Sequence, residues 1–305
     1  MTLSPKQRYE WIVQQLQVVL PEEILLFWDF ARSIRPLEPL KALEDSLGIY
    51  LVGAFEVLSG KFDDYSGNVP ISLHWRYGLD PPEFFTMLAG GEGRWHSGYY
   101  VDHPDGKSYC VASYYANEGL QFGFDGRSLF SAVKRYLDDK EIIHDEDDVL
   151  LTGLELDSNK KACEKVRKSL EKFQPLAKKI QTSKRHPCEK TIDGVGVVAE
   201  RIQVGEILKS LRKKVPYMVW SDTDYEKVIM EAFRLLENGK SATALKLAKD
   251  LWQVGDELRL HSSAAIMSEA YKKLARQPFD KILGDHLAYL NREWLDIMDA
   301  SDETS

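Results

Sequence analysis

The sequence predicts an α+β fold, in which an N-terminal antiparallel sheet with flanking helices is followed by a mainly α-helical C-terminal domain. Three observations support this prediction. Short β-like runs bounded by Gly, Pro, Asn and Asp fill much of the first half, without strand–helix–strand alternation. Apolar residues recur at helical spacing through most of the second half. A chain of 305 residues, 44% hydrophobic and 29% charged, is long enough and apolar enough for two folded domains.

The N-terminal part begins with two helices and continues as a sheet. Ser4 and Pro5 predict a helix start, because serine caps the free N–H groups of a first turn and proline fits the first helical position. Pro21 ends this helix, and the next one spans Glu22–Ile34. A helix over Arg127–Leu137 is expected to pack on the sheet. The predicted strands are Ile49–Val52, Ile71–Tyr77, Gly98–Val101, Tyr109–Tyr114 and Leu120–Phe124.

One predicted strand carries a polar cluster. Alternation along Ile71–Tyr77 places His74 and Arg76 on one polar outer face and Trp75 in the core.

The second half is predicted to be helical. An apolar stripe from Tyr225 to Leu236 indicates an amphipathic helix, and Asn238-Gly239 is a typical helix end. The other elements expected here are a turn and short strand at Asp193–Val198 and helices over Ser241–Val254, Leu258–Ala275 and Pro278–Met298.

Charge is distributed unevenly near the predicted domain boundary. Residues 138–148 contain seven acids and one lysine, whereas residues 151–190 contain eleven Lys/Arg against five Asp/Glu. We interpret the first run as an acidic hinge and place the domains at 1–145 and 146–300, with a polar tail at 301–305. The basic segment is either a solvated helix face or a surface for a basic peptide tail or phosphates, and charge alone does not decide between these.

Several function classes find no support in the residue pattern. No run of about 18 apolar residues indicates a membrane span, and we expect no secretory signal. The net charge of −8 argues against nucleic-acid binding through bulk charge. No phosphate-binding glycine loop or nucleophile motif occurs. His96 and His103 are seven residues apart, with Asp102 and Asp105 nearby, but a metal site needs at least three convergent ligands. We favour surface or turn histidines here and expect no metal. From the residues alone we expect a protein without independent catalysis.

An ordered series of motifs resembles the histone PARylation factor family. The segments Leu73-His74-Trp75-Arg76-Tyr77 and Asp80-Pro81-Pro82-Glu83-Phe84 form its most distinctive block. The resemblance is dense over residues 20–137 and weaker beyond. Its other segments are Leu20-Pro21-Glu22, Phe27-Trp28-Asp29-Phe30, Gly98-Tyr99-Tyr100, Phe130-Ser131-Ala132-Val133-Lys134, Gly194–Val198, Thr223-Asp224, Ala270-Tyr271 and Asp285-His286-Leu287.

The resemblance implies an accessory protein. Members of this family bind the catalytic domain of DNA-break-activated poly(ADP-ribose) polymerases and add a glutamate to the pocket that holds NAD. The joint site then modifies serine, notably on histones, in the DNA damage response. The chain would thus need no cofactor of its own, and its partners would be the polymerase and histones, with poly(ADP-ribose) as a further candidate. No membrane contact and no sequence-specific DNA binding are expected. Its location would be the nucleus and chromosome, or the cytoplasm if the source is not eukaryotic.

The resemblance also assigns site residues. Glu237 is the candidate for the catalytic glutamate, although the family's Asp-Glu pair is here reduced to one acid followed by Asn238. The residues assigned to partner binding are Tyr217, Asp250, Glu257 and His261. The family's arginine after Tyr217 is replaced by Met218, and His261 lies one helical turn beyond the aligned position Glu257. The alternative is a diverged protein-binding module of the same fold that has lost the catalytic glutamate.

Overall fold

The computed structural model describes residues 3–67, 69–90, 94–147, 153–181, 183, 185, 191–199, 221–253, 257–289 and 298–300, with 141–147, 153–157 and 257–258 described at backbone level. Its sequence of elements confirms the predicted α+β class, with a sheet in the first half and helices in the second. Tyr217 and the predicted tail at 301–305 lie outside the described residues.

The sheet is antiparallel throughout, with its strands ordered as in the sequence, from β1 to β5. Its inner strands are buried on both faces. That burial explains why β2 was not predicted from the sequence. A strand buried on both faces has a continuous apolar run rather than alternating apolar and polar residues. The strands are β1 Ile49–Leu51, β2 Phe84–Gly90, β3 Trp95–Val101, β4 Tyr109–Tyr115 and β5 Gly123–Gly126.

Helices surround this sheet and form the C-terminal half. Ser4 caps α1 as expected, since it accepts a hydrogen bond from the Gln7 N–H. In the N-terminal half the helices are α1 Pro5–Leu16, α2 Glu23–Ile34, α3 Glu44–Leu47, α4 Ala54–Ser59 and α5 Leu129–Asp147. They are followed by α6 Gly153–Ile180, α7 Asp222–Glu237, α8 Ser241–Trp252, α9 Glu257–Lys273 and α10 Gln277–Tyr289. None of the helices in the described ranges is long and apolar enough to span a bilayer.

The predicted strand at Ile71–Tyr77 is wrong. Residues Ile71–Leu73 form a 3-10 turn, and Trp75 has a φ of +58°, which breaks an extended chain. The predicted burial is also inverted, because Arg76 is 2% exposed whereas Trp75 is half-buried. The Arg76 guanidinium donates to the carbonyls of Pro81 and Phe84 at 2.7 and 2.9 Å. Backbone oxygens therefore satisfy this charge in the interior, whereas strand alternation had predicted Arg76 on the outer face.

The acidic run is not a linker over most of its length, because α5 continues to Asp147. Asp138 pairs with Arg167 of α6 at 2.8 Å. Helix α6 itself packs against α2, α3 and α5. Its Phe173 ring lies 5.9 Å from the Phe30 ring, inside the N-terminal core. The division at residue 145 remains a prediction, but α6 shares the core of the first half.

Helix α8 joins the two halves. All twelve of its residues are buried, and the residues at its end bond to the N-terminal half. The Trp252 indole N–H donates to the Leu79 carbonyl at 2.9 Å, and the Gln253 amide donates to the Leu120 carbonyl at 2.5 Å. Because α8 is buried on all sides, it packs against elements of both halves. This packing holds α7 and α9 in place relative to the sheet.

Candidate partner-binding and catalytic site

Helix α7 positions the candidate glutamate. Ser221 and Asp224 form a reciprocal capping box at its start, and the apolar stripe predicted from the sequence faces inward except for Phe233, which is exposed. The helix ends after Glu237 because Gly239 adopts a φ of +71°, in the left-handed region that a residue without Cβ enters freely. The Lys240 N–H then closes the turn on the Leu235 carbonyl at 2.8 Å.

The Glu237 carboxylate is exposed and unengaged. No described residue forms an ion pair or side-chain hydrogen bond with it. Met230 and Phe233 lie seven and four residues earlier, on the same face of α7, and are 71% and 40% exposed. From residue 183 onward, these two are the exposed large hydrophobic side chains of the described ranges. The end of α7 thus combines one free carboxylate with an apolar contact area.

Asp250 lies inside the molecule. It is 5% exposed, its Oδ1 accepts the Ile192 N–H at 2.8 Å, and its Oδ2 binds the Lys246 ammonium. A partner could contact this carboxylate only after its hydrogen bond to Ile192 and its ion pair with Lys246 had broken. The structure therefore gives Asp250 a contact within the chain, and its assignment to partner binding remains a prediction.

A buried cation lies next to Asp250 at the junction with the sheet. The Lys249 ammonium is 3.7 Å from a Glu83 carboxylate oxygen and 4.3 Å from the centre of the Tyr100 ring. Burial lowers the pKa of Lys249, and the Glu83 carboxylate opposes that change. The ion pair joins α8 to the residue just before β2. Sequence reasoning missed this pair, because its two members are separated by 166 positions and only the fold brings them together.

A turn at residues 191–197 completes the buried junction. Asp193 is 1% exposed and accepts hydrogen bonds from the Val195 N–H at 3.0 Å and from the Thr191 hydroxyl. Its second oxygen, Oδ2, has no hydrogen-bond partner among the described residues. Burial raises the pKa of Asp193 to about 7, and the nearby Asp250 and Glu83 raise it as well. Near neutral pH both the protonated and the ionised form of this carboxyl are therefore populated.

The two remaining partner-binding candidates lie on α9. Glu257 is its first residue and His261 is exposed one turn later. Between them, the Arg259 guanidinium lies 3.7 Å from the Tyr225 ring centre and pairs with Asp222 at 2.7 Å. These contacts fix the start of α9 against the start of α7. His261 therefore follows a segment held at the start of α7, whereas Glu237 lies at the other end of that helix, and the role of His261 remains a prediction.

The two histidines considered for a metal site have other surroundings. His96 is fully buried, lies 3.3 Å from an Asp80 oxygen and stacks obliquely on Tyr77. His103 lies in a turn, 3.2 Å from Asp105. Within the described ranges, no group of three His, Cys, Asp or Glu side chains could hold a metal ion.

These features describe an α+β protein in which a buried ion pair joins the sheet to the C-terminal helices. Among the described residues, its Glu237 carboxylate has no ion-pair partner and lies on the same helix face as the exposed Met230 and Phe233. The chain belongs to the histone PARylation factor family, since the family model for Histone PARylation factor 1 matches residues 6–214. It is 28% identical over 296 residues to Histone PARylation factor 1 of Mus musculus, covering 91% of this chain and 85% of that protein. The Danio rerio protein of the same name is 30% identical over 300 residues, covering 91% of this chain and 84% of that protein.

A third relative extends the comparison. Histone PARylation factor 1 of Bos taurus is 27% identical over 298 residues, covering 91% of this chain and 85% of that protein. The family-model match ends before α7, whereas the alignments with whole relatives cover most of the chain.

Proposed function

We propose that this chain is a histone PARylation factor that binds a poly(ADP-ribose) polymerase catalytic domain and directs ADP-ribosylation to serine, including serine on histones. The polymerase binds NAD, and this chain supplies the carboxylate of Glu237. Its place of action is the chromosome, in the DNA damage response. The observation that carries the proposal is the exposed carboxylate of Glu237 at the end of α7, which has no partner among the described residues and lies on the same helix face as Met230 and Phe233. Membership of the family supports the histone and ADP-ribosylation parts of the proposal.

The chemistry explains why one carboxylate suffices. The serine oxygen attacks C1 of the nicotinamide-bearing ribose, the C1–nicotinamide bond breaks, and nicotinamide leaves. The serine hydroxyl must lose its proton as the new bond forms, and the Glu237 carboxylate accepts it. A positioned general base contributes typically about 10²–10⁴-fold to such a step. An aspartate or glutamate acceptor is already ionised and needs no base, so the added carboxylate selectively favours serine.

The apolar side chains have a separate task in this proposal. If Glu237 enters the partner's pocket, Met230 and Phe233 must face the partner as well, because they lie about 10 and 6 Å back along the same helix face at 1.5 Å per residue. Exposed apolar side chains at the centre of an interface commonly account for much of its affinity. Affinity and proton transfer therefore depend on different residues of α7, which makes them separable by mutation.

A reconstituted assay tests the proposal. It contains a DNA-activated polymerase, NAD and a histone-tail peptide, with products treated with hydroxylamine, which cleaves Asp and Glu esters but spares serine linkages. Glu237→Gln should keep polymerase binding and reduce the hydroxylamine-resistant product about 10²–10⁴-fold. Glu10→Gln is the matched control, because it removes an exposed glutamate of α1 rather than one on the proposed binding face of α7, and it should act as the wild type.

A second variant tests the contact area. Met230→Ser should weaken polymerase binding about tenfold, or about 1.4 kcal/mol, and regain full serine modification at saturating concentration. If wild type and Glu237→Gln yield equal amounts of hydroxylamine-resistant product, the general base must be a residue other than Glu237.

The alternative is a binding module of the same fold that has lost its catalytic glutamate. Asn238 favours it, because only one acid remains where the family has a pair. This alternative requires that the wild-type protein bind the polymerase and yield no hydroxylamine-resistant product.

A further inference from the structure

Helix α7 places Arg234 between two glutamates. Arg234 lies three residues after Glu231 and three residues before Glu237, and side chains three residues apart on a helix are close enough to pair. At 100° and 1.5 Å per residue, each glutamate lies about 60° around the helix and about 4.5 Å along it from Arg234. Helix geometry alone therefore offers the Arg234 guanidinium two carboxylates on equal terms.

The structure pairs Arg234 with Glu231 rather than with Glu237. The Arg234 Nε donates to Glu231 Oε2 and the Nη2 donates to Glu231 Oε1, each at 2.7 Å. This bidentate contact engages both oxygens of Glu231 and fixes the direction of the planar guanidinium. Among the described residues, no cation forms an ion pair with the Glu237 carboxylate.

Burial distinguishes the two carboxylates. Glu231 is 7% exposed, whereas Glu237 belongs to the exposed end of α7. An ion pair is stronger where water is excluded, and an acid that precedes its cation along a helix is the better order. The hydrogen bonds from Arg234 lower the pKa of Glu231, burial opposes this change, and the charges of Arg234 and Lys240 add to it. Glu231 is therefore ionised at neutral pH and binds Arg234 as a carboxylate.

The residue after Glu237 does not compete for the Arg234 guanidinium. Asn238 lies four residues after Arg234, the other spacing at which helical side chains meet. Its Nδ2 donates to the backbone carbonyl of Arg234 at 2.7 Å. An uncharged amide also attracts a guanidinium less strongly than a carboxylate does. Asn238 therefore contacts the backbone of Arg234 and leaves the guanidinium to Glu231.

A carboxylate that pairs with a guanidinium is a weaker base than a free one. The guanidinium lowers the pKa of the carboxylate and engages the oxygen lone pairs that would otherwise accept a proton. Arg234 lies within reach of Glu237 and would have both effects on it if Glu231 did not bind the guanidinium. The ion pair on the inner flank of α7 thus keeps the outer carboxylate available.

We propose that Glu231 is a positioning residue, which holds the Arg234 guanidinium away from Glu237 and so keeps the Glu237 carboxylate free to accept the serine proton. This inference rests on the proposed function, in which Glu237 is the base. Glu231 acts only through Arg234, because its own carboxylate is buried and both of its oxygens accept hydrogen bonds from the guanidinium.

The variant Glu231→Gln tests the proposal in the reconstituted serine-modification assay. Glutamine keeps the size of glutamate but lacks the charge that holds Arg234, so the guanidinium turns to Glu237. The turnover of hydroxylamine-resistant product at saturating protein should fall about three- to tenfold, because a guanidinium partner lowers the pKa of a carboxylate base by about one unit. Since such a base loses activity as the pH falls through its pKa, the acid limb of the pH–activity profile should move to lower pH.

Rescue distinguishes positioning from a purely structural role. Glu231→Gln/Arg234→Gln removes the cation as well as its partner, so it should restore the wild-type turnover and pH profile. Glu269→Gln is the matched control, because it breaks the ion pair of Glu269 with Lys272 at the same spacing on α9 and should leave both readouts unchanged. A loss of turnover that the double variant does not recover would overturn the proposal.

A second measurement needs no polymerase. In the full-length protein alone, the ¹³C NMR signal of the Glu237 carboxyl should titrate at lower pH in Glu231→Gln than in the wild type, and the double variant should reverse this change. Equal titration in wild type and Glu231→Gln would refute the hold on Arg234. If the signal shifts as expected while Glu237→Gln leaves serine modification unchanged, the hold on Arg234 is confirmed and the proposed function fails, so the two failures are distinguishable.

Discussion

Replacing Asp193 by asparagine should stabilise the protein at neutral and alkaline pH. Asparagine keeps an oxygen that can accept the Val195 N–H and Thr191 hydroxyl bonds now made by Oδ1. Its amide –NH₂ replaces Oδ2, which has no hydrogen-bond partner and is repelled by Asp250 and Glu83. The substitution therefore removes a buried charge while the hydrogen bonds around it are retained.

The magnitude follows from the pKa of Asp193, which burial raises from 3.8 to about 7. At about 1.4 kcal/mol for each pKa unit, ionising the buried carboxyl costs the folded state about 4 kcal/mol. Below pH 4 both folded and unfolded chains hold the proton, and this cost is absent. As the pH rises from about 4 to about 7 the unfolded chain releases the proton first, so stability falls over this window. The gain from Asp193→Asn should therefore grow across the same window and level off above it.

Urea denaturation of wild type and Asp193→Asn between pH 4 and pH 8 measures this difference. The matched control is Asp64→Asn, which removes an exposed carboxylate without a hydrogen-bond partner among the described residues and should leave the midpoint nearly unchanged. A variant that is less stable than the wild type at pH 8 would refute the reasoning. So would a difference between the two proteins that does not change with pH.

The remaining predictions concern packing and the buried ion pair. Gly98→Ala should prevent stable folding, because an added Cβ would lie 1.9 Å from the Phe85 carbonyl oxygen, whereas Gly284→Ala meets open space in α10 and should raise stability by about 0.5–1 kcal/mol in thermal unfolding. Lys249→Met leaves the Glu83 carboxylate buried without its cation and should cost about 3–5 kcal/mol in urea denaturation. The double variant with Glu83→Gln should recover most of that loss, and a double variant as unstable as the single one would contradict the pairing.

Much of the fold was predictable because it depends on local patterns. The cap at Ser4, the amphipathic stripe of α7 and the helix end at Gly239 all follow from hydrogen bonding and spacing within a few residues. The motif series predicted the family, and the match over residues 6–214 confirms it. The sites carried over from the family, Glu237 above all, remain predictions that the assays described here would test.

Other features could not be read from local patterns. Alternation placed Arg76 on a polar face, yet the fold supplies backbone carbonyls that satisfy its charge in the core. Strand β2 lacked alternation because both of its faces are covered. The same limit applies to Asp250, which looks like a surface acid in sequence and is bonded inside the chain.

The sequence by itself determined the α+β class, most helices, the family and the candidate glutamate, because spacing, capping residues and motifs are properties of neighbouring positions. Only the tertiary structure decided which charges are buried and which are free. It paired Lys249 with Glu83, buried Asp193, left Glu237 without an ion-pair partner among the described residues and exposed the lysines of α6. The physical reason is that the free energy of a charge depends on the solvent and partners around it, and distant parts of the chain supply those only after folding.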